Sequence, residues 1–327
     1  MRVMITGANA PLGLATIAAL LARDDVEIVL AIGAQHQEPP PPDPRLVYRT
    51  IDLMRARAVH DLVWGEARQH AIDHVMHGIH HRKASDHGRT VHRQNVESTR
   101  ELLRACMEQP TIHRFVYRSF AEVYRFDHTT PSVIDESEPL DFDQASSQWV
   151  RDRVEADLEV CSHFGGALSI AVLRFAEIFA PEVGSQLWDY LQSRVCLRPF
   201  GFDPMINILS VGDAAAASIA ALRGDATGVF NIPGADTLPL SEAIMESYRL
   251  DIPVPGPLMA PLYSLRGTVT GFEFRYGLNL RRFHFGGVVD GGRARRELGY
   301  EPHSHVVWPR PWWRVFAERL AAINDRS

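Results

Sequence analysis

Lysine is almost absent from this 327-residue chain: of its 34 basic residues, all but Lys83 are arginine. A coding bias toward arginine is the simplest cause, so an arginine standing where a lysine is expected carries less information than usual. Cysteine is scarce as well. Cys106, Cys161 and Cys196 lie far apart and form no CxxC pair, which argues against a disulfide framework or a cysteine zinc site and suits a reducing, cytoplasmic setting. No apolar run approaches the roughly 20 residues that span a bilayer, and the chain starts directly on a strand pattern, so neither a membrane span nor a targeting segment is expected. The net charge of −6 gives no electrostatic reason to expect nucleic acid. What remains is an ordinary globular balance, 46% hydrophobic and 23% charged, long enough for a core domain with a smaller appendage.

Short apolar runs alternate with amphipathic segments through the first half. The pattern predicts strands at Arg2–Thr6, Val26–Ile32, Leu46–Arg49, Ile72–Met76, His113–Tyr117 and Leu168–Arg174. Helices are expected at Leu12–Arg23, Ala56–Gln69, Thr90–Met107 and Ser147–His163, and a stiff proline-rich loop at Glu38–Pro44. Buried strands separated by helices imply an α/β fold with a Rossmann-type, doubly wound parallel sheet. Beyond Phe175 the rhythm loosens. Helices are expected at Val211–Ala221, Leu240–Tyr248, Met259–Thr268 and Trp312–Ile323, with a strand at Gly228–Ile232. The expected division is a dinucleotide-binding domain over 1–175 and a smaller C-terminal substrate lobe over 176–327, interleaved with returns to the main sheet.

The segment Thr6-Gly7-Ala8-Asn9-Ala10-Pro11-Leu12-Gly13 falls between the first strand and the first helix. That context suits a phosphate-cradling turn: Gly7 allows the tight turn, Gly13 allows helix and strand to approach, and the helix N-terminus offers free N–H groups to a pyrophosphate. The segment resembles the TGxxGxxG turn of extended short-chain dehydrogenase/reductases, the NAD-dependent epimerase/dehydratase family, with Ala10 at the central glycine. The resemblance runs on through Ile51-Asp52-Leu53, Val75-Met76-His77, Asn95 at the start of a long helix, Arg174 with Pro181, Val211-Gly212-Asp213, Phe230-Asn231 and Glu297-Leu298-Gly299-Tyr300-Glu301-Pro302. It implies a cofactor, NAD or NADP, held by Gly7, Asn9, Ala10, Pro11, Leu12, Gly13, Asp52, Leu53, His77, Asn95 and Arg153. At the end of the second strand, where NAD-using members place an acid for the ribose, this chain has Gly33, and no arginine follows at once for a 2′-phosphate. NAD versus NADP therefore stays open.

The same resemblance implies a serine or threonine, a tyrosine and, four residues later, a lysine as the catalytic set. Here Phe120 stands at the hydroxyl, Trp149 at the tyrosine and Arg153 at the lysine. An indole N–H does not titrate usefully and arginine does not give up its proton. Ser119 neighbours Phe120 but faces the other way on a strand. The expectation is a dinucleotide-binding protein without the standard redox reaction, with a regulatory, sensing or structural role. Trp149 would then stack near the nicotinamide or close the substrate cleft. The alternative is a divergent epimerase, dehydratase or reductase acting on a nucleotide-sugar or another small hydroxy or keto substrate with relocated groups such as Tyr124, His80 or Arg153.

Four histidines, His77, His80, His81 and His87, follow the fourth strand. No carboxylate pair completes a ligand set beside them, so no metal is expected, and structural or solvated histidines are the ordinary alternative to a catalytic base. Arg281 and Arg282 are either a substrate-phosphate site of the second lobe or a surface pair in an arginine-rich protein. Trp308, Trp312 and Trp313 either dock the last helix or form a partner surface. The expected partners are a nicotinamide dinucleotide and a small-molecule substrate, with a homodimer left open.

Overall fold

The computed structural model describes residues 1–34, 37–270 and 274–308. The expected last helix, with Trp312 and Trp313, lies outside them. In chain order the elements begin with β1 (Arg2–Thr6), α1 (Pro11–Leu21), β2 (Ile28–Gly33), β3 (Leu46–Thr50), α2 (Ala56–Asp61), β4 (His74–His77), α3 (Arg89–His92), α4 (Ser98–Glu108) and β5 (Arg114–Phe120). They continue with β6 (Val133–Ile134), α5 (Gln148–Cys161), β7 (Ser169–Phe175), β8 (Glu177–Ile178), α6 (Gln186–Leu191), β9 (Val195–Pro199), β10 (Met205–Leu209), α7 (Val211–Arg223) and β11 (Gly228–Ile232). The last are β12 (Asp236–Pro239), α8 (Leu240–Glu246), β13 (Leu250–Val254), α9 (Gly256–Thr270), α10 (Tyr276–Phe285), β14 (Val288–Val289) and α11 (Gly292–Leu298). A π-helical turn, Leu62–Ala67, prolongs α2, and another, Arg93–Glu97, joins α3 to α4.

Seven strands form the main sheet in the order β11-β7-β5-β4-β1-β2-β3, every pairing parallel. A sheet covered on both faces needs apolar residues on both sides of each strand, and Val3, Met4 and Ile5 of β1 are all fully buried. One face packs Ile17 and Leu20 of α1 and Ala214 and Ala217 of α7; the other packs Leu102 and Leu103 of α4 and Val160 of α5. β1 lies between β2 and β4, so the chain reverses its direction of travel across the sheet there, and a crevice opens at the strand ends. A separate aromatic cluster around Tyr190, Tyr263, Phe274 and Phe283 centres the later residues. The edge strand β11 comes from beyond residue 176 and returns to the main sheet against β7.

β5 is longer than the periodicity suggests, running to Phe120 rather than Tyr117. Arg118, Ser119 and Phe120 pair with Leu173, Arg174 and Phe175 of β7. A ladder partner thus carries polar residues into a strand that local hydrophobicity would have ended.

Candidate active site

A cavity of about 310 Å³ lies over the C-terminal ends of β1, β2 and β4. Gly7 and Ala10 of the first turn, Gly33 and Ala34 at the end of β2, Asp52 and Leu53 after β3, and Gly78, Ile79 and His80 after β4 line it. Gly7 has φ +77°, a left-handed conformation that favours glycine. Ala10 is the N-cap of α1 at φ −74° and places no side chain on the helix amides. No side chain caps the first turn of α1, whose Pro11 carries no N–H; the amides of Leu12 and Gly13 remain as donors for a diphosphate beside Ala10, at the edge of the cavity.

The other residues assigned to the cofactor do not line this cavity. Leu12 and Gly13 are buried in the packing of α1, and Pro11 occupies its first turn. Asn9 is a latch. Its Oδ1 accepts the Ala34 N–H at 3.2 Å, and its Nδ2 donates to the Tyr48 hydroxyl at 3.1 Å and to the Glu38 carbonyl. A Cβ on Gly33 would overlap Asn9 Oδ1 and the Tyr48 hydroxyl. The latch therefore occupies the space that an acid at position 33 would need. Asn95 accepts the His81 N–H at 2.7 Å and donates to Asp152 Oδ2 at 3.2 Å, tying the turn after β4 to α5.

His77 is fully buried beneath the cavity rather than in it. Thr99 Oγ1 donates its proton to the Asn95 carbonyl at 2.8 Å, so it accepts from His77 Nε2 at 3.0 Å. His77 Nδ1 is then the acceptor for the Thr6 hydroxyl at 2.7 Å. Both ring nitrogens are committed in a neutral imidazole, and burial pushes its pKa down to about 3. A base whose pKa is depressed in the folded state contributes stability above its unfolded value, and this is lost as pH falls toward the folded one. Below about pH 6, His77 should add about 1.4 kcal/mol of lost stability per pH unit. Urea unfolding at pH 7 and pH 5 checks this. His77→Gln should remove one proton from the pH dependence, and an unchanged slope would refute the assignment.

Past His80, Phe120, Arg153 and Trp149 form a stack. The Arg153 guanidinium lies 3.7 Å from the Phe120 ring centre and 3.7 Å from that of Trp149. Its Nη1 is 3.0 Å from Glu122 Oε2. Burial lowers the Arg153 pKa against the opposing pull of Glu122. His80 meets the Phe120 ring edge-on at 4.7 Å. Arg118 Nη1 donates to His80 Nδ1 at 3.1 Å, and His80 Nε2 donates to the Val183 carbonyl at 3.2 Å. Burial first, then the charges of Arg118 and Arg153, hold His80 well below the usual histidine range. Its lone pair is spent on Arg118, which leaves none for a substrate proton.

The second suggested substitute, Tyr124, is also committed. Its hydroxyl donates to Asn231 Oδ1 at 2.7 Å, and burial pushes its pKa up to about 12. Ser119 turns toward α5 and donates to Asp157 Oδ2 at 2.5 Å. A second cavity, of about 210 Å³, lies beyond Trp149 and is lined by Glu122, Asp141, Gln186, Arg281 and Arg282. Both arginines already have carboxylates. Arg281 contacts Asp141 at 3.4 Å and also Asp143, while Arg282 contacts Glu177 at 2.6 Å and Glu122 at 3.4 Å. His81 sits 2.8 Å from Asp86, and His87 makes a 3.3 Å contact with the Ser85 carbonyl. Trp308 packs 5.3 Å from Phe179. Among the described residues no three His, Cys, Asp or Glu side chains gather as a metal site, and no helix is long and apolar enough to cross a membrane.

Arg118, Glu122 and Glu177 were not singled out from sequence. The strand pattern held no sign of them, because each acquires its role only from partners on distant segments.

Residues 3–232 match the model of the NAD dependent epimerase/dehydratase family. An uncharacterized protein of Mycobacterium tuberculosis is 31% identical over 218 residues, 65% of this chain and 57% of that protein. A 3-diazoavenalumate denitrifying reductase of Streptomyces sp is 29% identical over 185 residues, 54% of this chain and 57% of the reductase. The matches thus span little more than half the length of these relatives. Among solved structures, UDP-glucuronic acid 4-epimerase from Bacillus cereus, in complex with UDP-glucuronic acid and NAD, superposes with TM-score 0.69 at 16% identity over 93% of this chain and 95% of that one. A dTDP-glucose 4,6-dehydratase from Streptomyces venezuelae with NAD bound gives TM-score 0.68 at 19% identity over 93% of each chain. With a family model matched from the first strand through β11, this chain belongs to the NAD dependent epimerase/dehydratase family.

Proposed function

We propose that this protein is an atypical member of its family that holds a nicotinamide dinucleotide without running the family's usual acid–base chemistry, in a regulatory, sensing or structural role. The observation that carries the reading is the Phe120–Arg153–Trp149 stack next to an open cavity at the strand ends. At the edge of the cavity the α1 N-terminus carries no side-chain cap, which leaves its amides to a diphosphate. The stack offers neither a hydroxyl nor a titratable phenol to a substrate oxygen, and the Arg153 guanidinium is occupied by Glu122. The NAD-bound epimerase and dehydratase structures support the choice of cofactor class. General acid–base assistance is worth about 10²–10⁴-fold, so trace turnover at most is expected with nucleotide-sugars or secondary alcohols.

Calorimetry with NAD, NADH, NADP and NADPH, beside turnover assays, tests this. Ala10→Asp is the informative variant. Aspartate is a favoured N-cap residue, so α1 should be no less stable. Its carboxylate would occupy the helix amides and repel a diphosphate, weakening nucleotide binding by about tenfold or more. Unchanged affinity in Ala10→Asp would place the ligand elsewhere. Robust turnover persisting in Trp149→Phe would refute the non-catalytic role.

One observation favours a second reading, a divergent reductase: the Streptomyces relative carries a reductase's name. A hydride acceptor that needs no proton at oxygen does not require the phenol that Trp149 replaces.

A further inference from the structure

We infer that the cavity recognises the adenosine diphosphate moiety of its ligand and ends before the nicotinamide, so that ADP-ribose, NAD and NADH bind nearly alike. This rests on the dinucleotide reading above and specifies which part of the ligand is held.

A diphosphate on the first turn of α1 sends one nucleoside to each side of β1. On the β2 and β3 side the cavity is open, floored by Gly33 and Ala34 and walled by Asp52 and Leu53. On the β4 side it reaches His80 and Arg82 and stops; among the described residues no β5 side chain contributes to its lining. A wall fills the space beyond. Phe120, Trp149 and Arg153, each buried, are stacked with the cation in the middle. The Trp149 edge is pressed against the chain at Gly184, where a Cβ would lie 3.1 Å from Trp149 Cη2 and 3.0 Å from the Arg82 carbonyl. Arg118 and His80 both donate to the Val183 carbonyl, at 3.3 and 3.2 Å, fastening this segment to the turn after β4. The Arg82–Glu182 ion pair, at 2.9 Å, bridges the same two segments, and both residues line the cavity.

The wall is drawn from four segments: the turn after β4, the end of β5, the first turns of α5, and the loop after β8. Opening it would remove a doubly stacked buried cation from its aromatic faces and its carboxylate together, so no single rotamer change suffices. The second cavity, behind the wall, shares no lining residue with the first. A ligand in the first cavity therefore presents its adenosine and phosphates to the protein and leaves its redox-active ring outside the packed interior.

Calorimetry with ADP-ribose, NAD and NADH, together with saturation-transfer NMR on NAD, tests this. The three dissociation constants should agree within about threefold. Adenine protons should be saturated strongly and nicotinamide protons weakly. Trp149→Ala takes away the ring that separates the wall from the second cavity and gives the nicotinamide room there, so it should tighten NAD relative to ADP-ribose by about tenfold. If that variant does not fold, the measurements on the unmodified protein decide. NAD or NADH binding more than about tenfold tighter than ADP-ribose, or nicotinamide protons saturated as strongly as adenine, overturns this inference and leaves the dinucleotide reading intact. Absence of binding by all three at millimolar concentration overturns both.

Discussion

Gly13→Asp is expected to abolish stable folding rather than nucleotide binding alone. Gly13 is buried in α1, and a Cβ there would overlap the Gly7 carbonyl oxygen and lie 2.9 Å from Ala8 Cα. Both obstacles are backbone, so no side chain can swing aside. Overpacking alone costs about 1–3 kcal/mol. An unpartnered buried carboxylate costs several kcal/mol more, which together consume most of a stability of about 5–15 kcal/mol. Loss of a cooperative thermal transition would be the expected result. A melt within about 3 °C of the unmodified protein would show that α1 can move off β1. Ala10, three residues earlier in the same turn, is the contrast: it is partly exposed and borders the cavity, which is why the binding test belongs there.

Asp157→Ala is expected to cost about 3–5 kcal/mol, the usual penalty for breaking a buried ion pair from one side. Asp157 is fully buried on α5 and receives Arg174 Nη2 at 2.7 Å and Nε at 3.0 Å, with the Ser119 hydroxyl as a third donor. Removing the carboxylate strands the Arg174 guanidinium, itself 4% exposed, between β7 and α5. Denaturant unfolding measures the loss. A value below about 1 kcal/mol, as for a surface pair, would mean that water reaches Arg174 and that this junction is looser than described. The residues concerned are the Ser119 that sequence placed away from the cleft and the Arg174 it assigned to a family motif. Their contacts give that motif a structural basis, a clamp joining β5, β7 and α5.

The parallel architecture was legible in the chain itself. β1 and β11 have the bounds that apolar patterning suggests, and the remaining main-sheet strands differ at their ends, most at β5. Hydrophobic period and turn chemistry are local properties, readable over five or ten residues. The site was legible only as a set of motif positions. Gly7, Ala10, Asp52 and Leu53 border the cavity, whereas Asn9, Gly13, His77 and Asn95 do other work: a latch, a close packing contact, a buried hydrogen-bond bridge and a tie between a turn and a helix.

By itself, then, the sequence determined a Rossmann-type α/β chain with a strand–turn–helix segment after its first strand, and it singled out Phe120, Trp149 and Arg153 for attention. Tertiary structure alone decided what those side chains touch. Arg153 is stacked between two rings, Arg281 and Arg282 have carboxylates about 105 to 160 residues away in the chain, and Tyr124 and His80 have spent their hydrogen-bonding groups on Asn231 and on Arg118 and Val183. The physical reason is that the charge state and reach of a buried polar group depend on the partners packed around it, and here those partners come from segments that only the folded sheet brings together.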